Sequence, residues 1–145
     1  MSDESHTLRL DVPAVVESLD DVHAAIERLW ERDPTVGVRD RFRFETAVIE
    51  VLGNIVEHAY RLDEPAGPGR RRVDVALAVD ATAVHAVLGD DGQPAAIDLS
   101  GVTMPDEEAE SGRGLALAVA ALDDLTYRRD GARNTWSLTC VRRPD

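Results

Sequence analysis

Between residues 7 and 12 the apolar side chains Leu8, Leu10 and Val12 alternate with polar ones, the period of a short strand with one buried face. Pro13 suits the first position of a helix. From there Val15, Leu19, Val22, Ile26 and Leu29 recur at three- and four-residue spacings through Trp30, which predicts an amphipathic helix ending near Asp33-Pro34. Residues 35–39 connect it to a second helix, which starts near Asp40 and is clearest over 42–60. There Ala47, Val48, Val51, Leu52, Ile55, Val56 and Ala59 form a stripe of helical period. Three polar residues interrupt that stripe at a strict interval of four: Glu50, Asn54 and His58. Residues four apart stack on one side of a helix, so a carboxylate, an amide and an imidazole line up beside the apolar stripe.

Residues 63–69 (DEPAGPG) are a breaker-rich loop. The basic run Arg70-Arg71-Arg72 leads into an alternating strand over 73–79, a turn at 80–82 and a second strand over 83–88, a hairpin. Residues 94–111 have no periodicity, hold Asp98, Asp106, Glu107, Glu108 and Glu110, and carry no basic residue. Such a stretch in a compact domain is a lid or a disordered segment. Gly112-Arg113-Gly114 then opens a helix over 115–122. Residues 125–129 and 134–141 form a closing hairpin with its turn at 129–132. Strands grouped with helices in this order indicate an α+β two-layer sandwich, one domain over residues 1–145.

Composition narrows the partners. The length suits one core. No run reaches the roughly 18 apolar residues of a membrane helix, and the N-terminus lacks a signal pattern. A single cysteine, Cys140, excludes an intramolecular disulfide and fits a reducing cytoplasm, the expected location; its strand setting makes it a small core residue. The formal net charge of −12 argues against nucleic acid as the main partner and permits a basic protein partner. All 16 basic residues are Arg, which rules out lysine chemistry.

Three polar clusters fall at the ends or faces of elements: Glu50/Asn54/His58 on a helix, Asp90-Asp91-Gly92 after a strand, and Gly112-Arg113-Gly114 before a helix. Each has a bland reading, as a satisfied polar pair, a turn, or a capped helix start. The last is also a common anion site, because free backbone N–H groups and the helix dipole meet there.

In this order and separation the three clusters closely resemble the N, G1 and G2 boxes of the GHKL (Bergerat-fold) ATPases. Within that superfamily the chain looks most like the anti-sigma factor serine/threonine kinases of the SpoIIAB and RsbW types, and the resemblance covers essentially its whole length. It implies a mixed, mostly antiparallel sheet covered on one face by helices, with a lid at about 94–111. It implies ATP and Mg²⁺ as cofactors. Asn54 would give its amide oxygen to the metal, and Glu50 would act as general base on an attacking hydroxyl. Asp90 would accept a hydrogen bond from the adenine amino group, and Gly92 would let the backbone approach the base. Gly112, Arg113, Gly114 and Leu115 would present backbone N–H groups to the phosphates. His58 would sit near the phosphates or the lid, or pack at the helix end.

The implied partners are a sigma factor and a small STAS-type antagonist phosphorylated on serine or threonine, with homodimerisation expected. Two departures matter. Pro94 stands where the superfamily usually has a glycine, stiffening the start of the lid. The lid has no Arg or Lys to reach a transferring phosphoryl group, and only Arg113 is close by in sequence, which weakens the expectation of strong catalysis. The alternative is a non-catalytic nucleotide-binding module that sequesters partners. A histidine-kinase ATPase module fits less well, because such modules follow a dimerising hairpin with a phosphoacceptor histidine. None is expected before Phe42, and His23 has no such neighbourhood.

Overall fold

The computed structural model describes residues 6–62, 72–91 and 110–143, with the side chains of residues 6, 58–62 and 110–114 left aside. The elements run β1 (His6–Pro13), α1 (Ser18–Arg32), α2 (Val38–Leu62), β2 (Arg72–Val79), β3 (Ala83–Asp90), α3 (Glu110–Ala121), β4 (Asp124–Asp130) and β5 (Arg133–Val141). The strands make one five-stranded sheet in the order β1-β2-β3-β5-β4. Every pairing is antiparallel, so the expected mixed character is absent among the described strands. The architecture is the α+β sandwich that the patterning predicts.

Alternation along the strands puts one face of the sheet under the helices. Val75 pairs with Leu88, Leu88 with Trp136 and Trp136 with Tyr127; Leu77, Ala86, Leu138 and Leu125 make the next row, and Val79, Val84 and Cys140 the row after that. These side chains belong to one core with Val22, Ile26 and Leu29 of α1 and Phe44, Val48, Val51, Leu52 and Ile55 of α2. Helix α1 lies over β1 and β2, α2 over β3 and β5, and α3 packs along α2. Helix α2 is rich in β-branched residues, which disfavour a helix by a few tenths of a kcal/mol each. Burying each one contributes about 1.5–3 kcal/mol, so packing decides the conformation.

Pro13 does not start a helix. It is the last residue of edge strand β1, opposite Arg72, where its missing N–H costs no interior ladder bond. Residues 14–17 make tight turns, with Ser18 N–H donating to Val15 O and Leu19 N–H to Val16 O, and α1 begins at Ser18. The buried Ser18 hydroxyl donates back to Pro13 O at 2.6 Å, which fixes the strand–helix corner. The closing hairpin is tighter than its sequence suggests: its loop is Gly131-Ala132 alone, and Gly131 takes φ +61°, as the first central residue of a type II′ turn must.

The β2–β3 hairpin turns on Asp80. Its carboxylate accepts from Thr82 N–H (2.8 Å), Ala83 N–H (2.9 Å) and the Thr82 hydroxyl (2.9 Å), and contacts His85 Nε2 at 3.2 Å. These bonds, led by the Thr82 N–H and opposed by partial burial, hold its pKa down to about 2 from the ordinary 3.8. Because the folded value is the lower one, the stabilisation is complete above 3.8 and is lost as pH falls through about 2. Asp80→Ala is therefore expected to cost about 1 kcal/mol near neutral pH, the net worth of hydrogen bonds at an exposed turn. Urea midpoints of variant and wild type should converge as the pH is lowered; a gap that persists in strong acid contradicts this account.

Cys140 lies fully buried in β5, where burial pushes its thiol pKa up. It is a core residue, as expected.

Candidate functional site

The inner face of the sheet is apolar until its last row. There Val73, Asp90, Asn134 and Arg129 stand side by side across β2, β3, β5 and β4. Asp90 is 5% exposed and Asn134 is 3% exposed. A buried carboxylate and a buried amide are costly unless paired, and here they pair with each other. Asn134 Nδ2 donates to Asp90 Oδ1 at 3.1 Å. The Asn134 carbonyl accepts from the Tyr127 hydroxyl and from Arg129 Nη1, the latter at 3.1 Å. Tyr127 in turn packs against Trp136, with ring centroids 4.7 Å apart.

The strand end that carries Asp90 is also braced from the uncovered face. Arg133 Nη2 donates to Asp74 at 2.6 Å, and Nη1 lies 3.6 Å from Asp91. The bond to Asp74, with burial opposing it, raises the Arg133 pKa. The guanidinium lies across Gly89, the residue before Asp90, where a Cβ would collide with it. Asp90 is thus held by Asn134 on the helix side, and its strand by Arg133 on the other.

Glu50 and Asn54 lie one turn apart on α2, both half-buried, among the core residues Val48, Val51, Leu52 and Ile55. Leu115 is 2% exposed in the same core. Gly112, Arg113 and Gly114 do not precede α3; they lie within its first turns, since the helix begins at Glu110. First-turn N–H groups have no acceptor inside the helix, which leaves that of Gly112 free for an anion, whereas Gly114 and Leu115, the fifth and sixth residues, fall where N–H groups bond back along the helix, so the expected run of phosphate-facing donors shortens at its end. His58 belongs to α2, with its side chain outside the described residues; Gly92 and residues 94–109 of the expected lid lie outside the described residues altogether.

The fold therefore brings the carriers of all three clusters together: α2 packs on α3 and on β3, and Asp90 ends β3 on the face that the helices cover. The sequence reading missed Asn134, Tyr127 and Arg129. A signal was present: Asn134 is the polar member of an inward series that continues Trp136, Leu138 and Cys140. Among the described residues, one group with metal-ligand atoms within 4.8 Å of one another is His23, Glu27 and Glu45, on exposed parts of α1 and α2; it includes none of the residues above. No described helix is long and apolar enough to cross a membrane.

The fold, an antiparallel sheet with helices over one face, is that of an ATPase domain. The chain belongs to the histidine kinase-like ATPase domain family, whose pattern matches residues 12–140. The GHKL resemblance in the sequence is borne out at that level, and family membership implies ATP as the ligand. Two solved structures share the fold. One holds the RsbU and RsbW domains of Rv1364c from Mycobacterium tuberculosis, with a TM-score of 0.62 and 24% identity over 96% of this chain and 33% of that one. The chain thus spans a third of that protein's length. The other is the SiaB–SiaC complex from Pseudomonas aeruginosa, with a TM-score of 0.62 and 18% identity over 92% of this chain and 89% of that one. No curated protein matches the chain.

Proposed function

We propose that the protein is an ATP-dependent partner-switching regulator, a serine/threonine kinase that phosphorylates a small antagonist protein and sequesters a sigma factor. The observation that carries the nucleotide part is the buried Asp90–Asn134 pair, which ends an otherwise apolar sheet face beneath α2. A carboxylate held on the helix-covered face of the sheet suits the exocyclic amino group of adenine, a donor. The groups on α2, which packs on β3, and on α3, which packs on α2, suit Mg·ATP. Asn54 supplies an amide oxygen of the kind that Mg²⁺ prefers, and the outward N–H groups at the start of α3 suit phosphate oxygens. Bound Mg²⁺ would neutralise charge on the phosphates.

Glu50 supports catalysis over mere binding. It is a half-buried carboxylate one turn before Asn54, and a carboxylate there would take a proton from a hydroxyl brought beside the phosphates. The absence of Arg and Lys from residues 94–111 favours slow transfer. The neighbours support a role with partners, since one was solved as a complex and the other includes an RsbW domain. The net charge of −12 suits a basic surface on a sigma factor.

The test is co-purification from the native host followed by incubation with labelled Mg·ATP. The expected result is a bound sigma factor and a small protein labelled on serine or threonine. Partner binding without any labelling would leave the sequestering module instead. The Asn54→Ala variant should lose Mg²⁺-dependent ATP affinity by at least about tenfold while its unfolding midpoint stays unchanged. Retained tight binding by titration calorimetry would contradict the metal role.

A further inference from the structure

The amide of Asn134 is not free to choose its orientation. A side-chain carbonyl oxygen accepts two hydrogen bonds, and Asn134 Oδ1 receives them from the Tyr127 hydroxyl and Arg129 Nη1. Rotating the amide by half a turn would set its NH₂ against the Arg129 guanidinium, a donor facing a donor, and its oxygen against the Asp90 carboxylate, an acceptor facing an acceptor, while costing Tyr127 the acceptor for its hydroxyl. Arg129 is itself anchored: its Nε donates to Gly131 O at 2.9 Å, in the β4–β5 turn. Tyr127 is fixed by its ring packing on Trp136. A chain of contacts thus runs from the hairpin turn, through two donors on β4, to the amide on β5 and the carboxylate on β3.

We propose that Tyr127 and Arg129 are positioning residues that set base selectivity, by locking the Asn134 amide so that only its N–H meets Asp90. The inference rests on the nucleotide reading of this site. A locked donor keeps the Asp90 carboxylate oriented and acting as an acceptor. Adenine offers an amino donor at its six position, whereas guanine offers a carbonyl there, which the carboxylate repels. An unlocked amide can turn its carbonyl toward the cleft or its NH₂ toward a guanine carbonyl, and discrimination falls.

The test compares Mg·ATP with Mg·GTP by titration calorimetry on the full chain, in wild type, Tyr127→Phe, Arg129→Met, the double variant and Arg129→Lys. Phenylalanine keeps the ring on Trp136 and removes only the hydroxyl, so Tyr127→Phe serves even if the double variant does not fold. The expected result is a wild type that prefers ATP, a preference reduced by about tenfold in the double variant and less in each single one, and a preference largely restored by Arg129→Lys, which returns a donor. Loss of affinity for both nucleotides in parallel would mean a structural role and would overturn the proposal, as would an unchanged ratio. If the wild type binds ATP and GTP equally, the selectivity inference alone fails. If it binds neither, the nucleotide reading fails and takes this inference with it.

Discussion

Glu50→Gln is expected to leave Mg·ATP binding nearly unchanged and to slow phosphoryl transfer to the antagonist by about 10²–10⁴-fold, the usual worth of a positioned general base. The side chain keeps its shape and half-buried position on α2. What it loses is the ability to take a proton. The change separates the two proposed roles, Asn54 in binding and Glu50 in chemistry, of residues one turn apart on α2. The measurement is the rate of labelling of the co-purified antagonist at saturating Mg·ATP, set beside the ATP dissociation constant. A fall in rate without a fall in affinity marks an interaction made only in the transition state. If Glu50→Gln transfers as fast as wild type, another group is the base. If the wild type transfers nothing, partner sequestration becomes the function, and Glu50 is a polar residue beside the core.

Much of the fold was legible because packing and local pattern agree. The inward series of β2 and β5 and the stripe on α2 each bury one apolar face, and each was readable from its period alone. The failures share a cause, which is that pairing partners are invisible in one dimension. Pro13 looked like a helix start because its role depends on lying opposite Arg72 at a sheet edge. The G2-box glycines looked like a pre-helix loop because helix starts are set by backbone bonding rather than by side-chain pattern. Glu50 and Asn54 were legible as polar residues in an apolar stripe, and Asp90 as part of an Asp-x-Gly cluster after a strand. Asn134 was visible only as a polar member of an apolar inward series, and Tyr127 and Arg129 were not visible at all, because their meaning depends on register: only the β3–β5 and β4–β5 pairings put these residues in reach of Asp90.

Register across distant segments also underlies the largest stability effect expected here, in the Arg43→Ala variant. Arg43 sits in the second turn of α2, and its guanidinium reaches α2 itself, the end of α3, the residue before β4 and the end of β5. Nη1 donates to Asp40 at 2.9 Å, Nε to Ala121 O at the end of α3 at 3.0 Å, Nη2 to Asp123 at 3.1 Å, and Nη1 also to Val141 O at 3.4 Å. Asp40 is 1% exposed, and its other oxygen accepts from Arg143 N–H at 2.7 Å. Removing the guanidinium would leave a buried carboxylate without its counter-charge and a helix-end carbonyl without its donor. Breaking such a pair from one side costs about 3–5 kcal/mol, because the remaining charge stays desolvated. Arg43→Lys should recover only part of that, since an ammonium cannot match the planar fork across Asp40, Ala121 O and Asp123. The Asp40→Ala/Arg43→Ala double variant should lose less than the sum of the two single changes, because the orphaned charge is gone. Urea unfolding of wild type, Arg43→Ala, Arg43→Lys, Asp40→Ala and the double variant measures these differences. A cost below about 1 kcal/mol for Arg43→Ala would place this ion pair among ordinary surface bridges. The cost bears on the site as well. Arg43 ties the start of α2 to the end of α3, the two helices that carry Glu50, Asn54 and the G2-box glycines, so loosening it should weaken ATP binding without touching any group that meets the nucleotide.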